Sequence, residues 1–74
     1  MRLHRTTSSS WAIRIIKVGL VTYISKALPG THESSPTWQI MKIDKTSGST
    51  IISWADGDDA FDNVSTNPTL LTYS

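Results

Sequence analysis

The 74 residues hold at most one domain, and a chain this short buries only about 60% of its unfolded surface, so a lone monomer is marginal. With no cysteine, disulfides, zinc–thiolate sites and thiol nucleophiles are excluded, which leaves association as the expected route to stability. The net charge of +1 is unevenly spread: residues 1–32 carry +5 through Arg2, Arg5, Arg14, Lys17 and Lys26, and residues 33–74 carry −4. Such a split can steer a basic half toward an acidic surface, on a second copy or another partner, or can neutralise itself within one fold.

Residues 1–10, with Thr6-Thr-Ser-Ser-Ser10 and little apolar content, read as a flexible basic arm. Arg14 and Lys17 interrupt the apolar run that follows, so no secretory core or membrane span is expected and the protein reads as soluble and unprocessed. From Trp11 to Ala27 a helix would align Trp11, Ile15, Val18 and Val21. Gly19 and the β-branched run Val18–Ile24 favour strand instead, as two segments bending at Gly19. Leu28 to Pro36 is a loop by its Pro29-Gly30 turn and by Pro36, which keeps Ser35 extended.

A central hairpin is expected over residues 38–54. A four-residue loop from Thr46 to Ser49 sets Ile43 opposite Ile52 and Met41 opposite Trp54, with Gly48 free for the left-handed position. That register gathers Met41, Ile43, Ile52 and Trp54 into what reads as the core face. Ile40 and Ile51 fall on the other, interleaved with Lys42, Asp44 and Ser53. Asp56-Gly57 signals a turn. Asp58 or Asp59 is expected to cap a short helical turn over 59–64, with Phe61 and Val64 pointing inward, and residues 69–73 read as a last short strand. The fold class is therefore mostly β: a small antiparallel sheet of about three to five strands (residues 11–74) behind the arm.

Few side chains carry the pattern of a reaction. Asp56, Asp58, Asp59 and Asp62 are the one candidate set for a cation, but Ala60 occupies a ligand position and no bidentate Glu closes the loop, so an acidic turn is the plainer reading. His4 and His32 lack a third ligand, no serine sits in a nucleophile elbow, and no phosphate loop or dinucleotide fingerprint is present. Neither enzyme nor cofactor is expected. Arg2, Arg5, Arg14 and Lys17 beside Trp11 form a thin footprint for nucleic acid and read instead as a partner-binding arm. Three tryptophans in so short a chain read as interface anchors, and Trp11, Tyr23, Trp38, Ile40, Ile51, Trp54, Phe61 and Tyr73 are the expected interface set.

Six pieces follow one another along the chain: Tyr23-Ile-Ser-Lys-Ala27, Pro29-Gly-Thr31, Trp38-Gln-Ile40 with Ile43, Trp54-Ala-Asp-Gly57, Phe61-Asp-Asn-Val64 and Leu71-Thr-Tyr-Ser74. Together they resemble a family of small proteins encoded among the head and tail structural genes of tailed bacteriophages. Ser25 stands where that family tends to show Gly, and Ser65-Thr-Asn-Pro68 lacks its usual aromatic residue and Arg. Residues 1–22 fall outside the resemblance. It implies a virion component. The favoured reading is a capsid decoration protein, a homo-oligomer (a trimer is the expectation) bound to a major capsid protein. A tail, neck or fibre component bound to another tail protein is the second reading, and a small regulatory or nucleic-acid-binding phage protein absent from the particle is the third.

Overall fold

A computed structural model describes residues 10–74, in which four antiparallel strands form one open sheet: β1 (Ala12–Val18), β2 (Val21–Ala27), β3 (Gln39–Asp44) and β4 (Ile51–Trp54), neighbours in chain order. Arg2 and Arg5 lie outside the described residues.

The segment 11–27 resolves in favour of strand, but it folds back on itself rather than merely bending. Val18 pairs with Val21, so Gly19 and Leu20 alone make the turn. Gly19 has φ +61° and Leu20 keeps a negative φ, the pattern of a type II′ turn, whose twist matches that of the strands it joins. The β3–β4 register is the expected one, with Met41 opposite Trp54 and Ile43 opposite Ile52. Gly48 takes φ +88° in the intervening loop. There Asp44 Oδ1 accepts from both the backbone N–H (2.9 Å) and the hydroxyl (2.6 Å) of Thr46, and these bonds hold its carboxyl below the usual value.

After β4 the chain turns sharply at Asp56 (φ +60°) and Gly57 (φ +77°), two consecutive left-handed residues as a type I′ turn requires. At Gly57 the left-handed φ favours glycine, and a Cβ there would stand 2.7 Å from Ser74 Oγ, so that side chain would have to turn away. The expected helical turn over 59–64 is absent. Asp58 Oδ1 instead takes the Ala60 N–H at 3.0 Å, and Asn63 pairs antiparallel with Trp38, both of which hold the segment out of helical geometry. The helical element, a single 3-10 turn, comes later at Pro68–Leu70, where proline occupies the first turn and has no N–H to lose. The expected last strand shrinks to a bridge between Tyr73 and Ala55, flanked by mutual backbone bonds of Trp54 and Ser74 at 3.1 Å.

Side chains directly across a ladder share a face. One face of the sheet carries Ala12, Arg14 and Ile16 from β1, Tyr23, Ser25 and Ala27 from β2, and Ile40 and Lys42 from β3. The tail, residues 55–74, folds over this face. Ala27, Trp38, Ile40 and Ala55 form the core, with Ala12, Leu71 and Tyr73 packed against it. This reverses the expectation that Met41, Ile43, Ile52 and Trp54 mark the inward face.

Candidate functional site

The opposite face is defined by three rows across the strands: Ile13, Lys26 and Gln39; then Ile15, Ile24, Met41 and Trp54; then Lys17, Thr22, Ile43 and Ile52. Among the described residues the tail lies on the other side, and this face is left without a cover. Ile13 is 55% exposed, Ile15 63% and Ile52 55%. Ile24, Met41, Ile43 and Trp54 are half-buried, sheltered by their neighbours in the sheet. A single exposed isoleucine is ordinary, but seven large apolar side chains on one face of a sheet are a contiguous patch of the kind that marks an interaction site.

At one end the patch deepens. Trp11 stacks on Phe61 with ring centroids 5.5 Å apart, and together with Leu28, Thr31 and Thr37 they line an apolar hollow of about 450 Å³. The Lys26 ammonium sits 4.9 Å from the centroid of the Trp11 ring, a cation–π contact. Phe61 reaches this place because residues 56–62 run across the end of the sheet, tied down where Gln39 Nε2 donates to the Asp59 carbonyl at 2.9 Å. Its side chain therefore belongs to the surface, not to the core that a helical turn implies.

The covered face shows why the tail chose it. Ala12, Ser25, Ala27 and Ala55 are small and let an irregular segment approach closely. Polar anchors then meet its backbone. Arg14 Nη1 donates to the Ser65 carbonyl and, at 3.0 Å, to its hydroxyl, while Nη2 stands 3.5 Å from Glu33 Oε1. The Ser65 N–H donates to the Glu33 carbonyl at 2.8 Å, and Trp38 Nε1 to the His32 carbonyl at 2.9 Å. Tyr73 Oη donates to the Pro68 carbonyl at 2.8 Å and its ring tilts against Tyr23 at 5.6 Å. Burial, with lesser effects from Tyr23 and Asp56, pushes the Tyr73 hydroxyl up to about 12.

The predicted interface set thus divides. Trp38 and Ile40, 2% and 1% exposed, belong to the chain's own core and present no surface. Tyr23 and Tyr73 pin the tail, and Ile51 lies on the covered face but beyond the tail's reach, 52% exposed. Trp11, Trp54 and Phe61 remain on the open face or its rim. Arg14 is a strap across the sheet, not part of an arm, and Lys17 stands exposed on β1. Ile13, Ile15, Ile24 and Leu28 were missed, although strand alternation from Trp11 could have found the first two. Asp56, Asp58, Asp59 and Asp62 are spread along the exposed turn, and among the described residues no three carboxylate or imidazole groups converge as a cation would need. Among the described residues, too, no helix is long and apolar enough to cross a membrane.

No family model, curated protein or solved structure matches this chain.

Proposed function

We propose that the protein is a non-enzymatic structural subunit of a tailed-bacteriophage virion, a decoration protein of the capsid shell that acts through its open sheet face. The observation that carries this reading is the uncovered row Ile15, Ile24, Met41 and Trp54, continuous with the hollow at Trp11 and Phe61. Burying that patch is worth roughly 25 cal/mol per Å² of apolar surface removed from water, a gain that a protein partner's surface would supply. The order of the six sequence pieces supplies the virion context. The polar side chains support an assembly role as well, since Arg14, Ser65, Glu33 and Tyr73 serve as straps for the tail and do not gather around the apolar hollow.

Quantitative mass spectrometry of purified particles tests the reading. Hundreds of copies per particle are expected for a shell lattice. A dozen or fewer would move the protein to the neck, tail or fibre, and complete absence from particles would overturn a structural role.

A further inference from the structure

We infer that the free edge of β1 accepts an extended segment of another protein as an added antiparallel strand, one that reads acidic, any residue, apolar, any residue, apolar. The inference concerns the edge of the sheet and does not depend on the shell reading of its open face. It starts from where the backbone groups of β1 point. A two-residue turn joins Val18 to Val21, so that pair exchanges both of its backbone bonds, and so does every second pair back to Ala12 with Ala27. The N–H and C=O of Ile13, Ile15 and Lys17 therefore point away from β2. The same alternation carried across the sheet sends the backbone of Trp54 outward from β4, and there Ser74 meets it with bonds of 3.1 Å in both directions. The tail thus covers part of one edge. At the other, no hydrogen bond from the described residues reaches the outward groups of Ile13, Ile15 and Lys17.

Sheets usually guard such an edge with a proline, a bulge or a very short strand. β1 has none of these: its seven residues pair with β2 in unbroken register. The side chains decide what it accepts. Ile13, Ile15 and Lys17, the residues with outward backbone groups, also share the open face, so in an antiparallel partner the residues directly opposite lie on that face too. Apolar residues there continue the rows of Ile13 and Ile15. Lys17 faces Thr22 on β2, and β1 and β2 together hold Arg14, Lys17 and Lys26 without one acid. A carboxylate opposite Lys17 is the complement, since Arg14 is already engaged by Ser65 and Glu33 on the covered face. The same charge disfavours the two covers that the chain itself could supply. A second β1, paired antiparallel through Ile15, lays its Lys17 over Ile13 and adds another Arg14 and Lys17 with no acid. Residues 1–9 bring Arg2 and Arg5, again with no acid.

Amide hydrogen exchange on the full chain, followed residue by residue by NMR, tests this with the peptide Thr-Glu-Thr-Val-Thr-Val-Thr as the probe. At saturation the amides of Ile13, Ile15 and Lys17 should slow by about tenfold or more, while those of Arg14 and Ile16, already in the ladder to β2, change little. A peptide with lysine in place of the glutamate should bind about fivefold more weakly, and Lys17→Glu, at an exposed position, should reverse that preference. Methylating the backbone nitrogen of the peptide's first valine, which faces β1, should abolish binding, whereas methylating that of the threonine before it should not. The inference fails if the three amides stay fast with peptide present, if Lys17→Glu keeps the parent's preference, or if the two methylated peptides bind alike. Slow exchange at those amides before any peptide is added would also overturn it, by showing the edge already covered by residues 1–9 or by a second copy. A protein absent from particles that still takes up the peptide would lose the shell reading alone.

Discussion

The two faces of the sheet are made by the same strands and the same alternation, yet one is sealed by the chain and the other is not. The face with more apolar bulk is the open one. Ile13, Ile15, Ile24, Met41, Ile43, Ile52 and Trp54 make seven large apolar side chains against six on the covered face, Ile16, Val18, Val21, Tyr23, Ile40 and Ile51. What the covered face offers is room and polar anchorage: alanine and serine at the contact, and Arg14 to meet the Ser65 carbonyl. An irregular tail carries backbone N–H and C=O groups that need partners, and a surface of isoleucines provides none. The large side chains suit a partner whose own backbone is already satisfied, as in another sheet.

The contrast breaks most visibly at paired isoleucines. Ile40→Ala, at 1% exposure, should cost about 2–5 kcal/mol in chemical denaturation. Ile15→Ala, at 63% exposure, should cost a monomer less than about 1 kcal/mol while reducing self-association. Equal costs would mean that something already covers Ile15. Next in size is Arg14→Met, which keeps the aliphatic stem but leaves the Ser65 carbonyl and hydroxyl unpaired. A loss of about 1–3 kcal/mol is expected, with faster exchange of tail amides than of strand amides. Uniform loosening of tail and strands together would show that Arg14 does not act as the strap.

Much of this fold is readable from residue order. Gly19, Gly48 and Asp56-Gly57 announce the turns, and the pairing of Met41 with Trp54 follows from loop length and alternation. The inward face is not readable in the same way. Counting apolar residues favours Met41, Ile43, Ile52 and Trp54, because alternation tells which residues share a face and not which face a distant tail will choose. That choice depends on contacts fifty-one residues apart, Arg14 with Ser65, which no local pattern encodes. The absence of a helical turn over 59–64 has a related cause. Asp58 has the chemistry of a helix cap, but the same carboxylate closes a tighter turn onto Ala60, and the tertiary pairing of Asn63 with Trp38 decides between them.

Ser25 sharpens the comparison in the opposite direction. It is 1% exposed on the covered face, between Arg14 and Ile40, and its hydroxyl has no hydrogen-bond partner among the described residues. Ser25→Ala removes a desolvated group while keeping the small volume that lets the tail approach, so a gain of about 1 kcal/mol in unfolding free energy by chemical denaturation is expected. A loss would reveal a hydroxyl partner under the tail.

The smallest effect is read by pH. Tyr73 is held neutral in the fold, its hydroxyl pushed from 10.0 up to about 12, chiefly by burial beneath its own tail. A raised value means that the unfolded chain releases its proton first, so between pH 10 and about 12 the unfolded state binds fewer protons and stability falls as pH rises. Below 10 the contribution is intact, and above 12 the slope levels off. Tyr73→Phe should be somewhat weaker at neutral pH, having lost the bond to the Pro68 carbonyl, yet lack the alkaline decline that Tyr73 adds to the parent. Because Leu71 and Tyr73 pack on the covered face, while of the tail only residues 56–62 reach the rim of the open one, that decline should track the release of Leu71 and Tyr73 from the core before self-association through the open face is lost. If association fails first on raising pH, the two faces are coupled through the sheet, and the division drawn between them is too sharp.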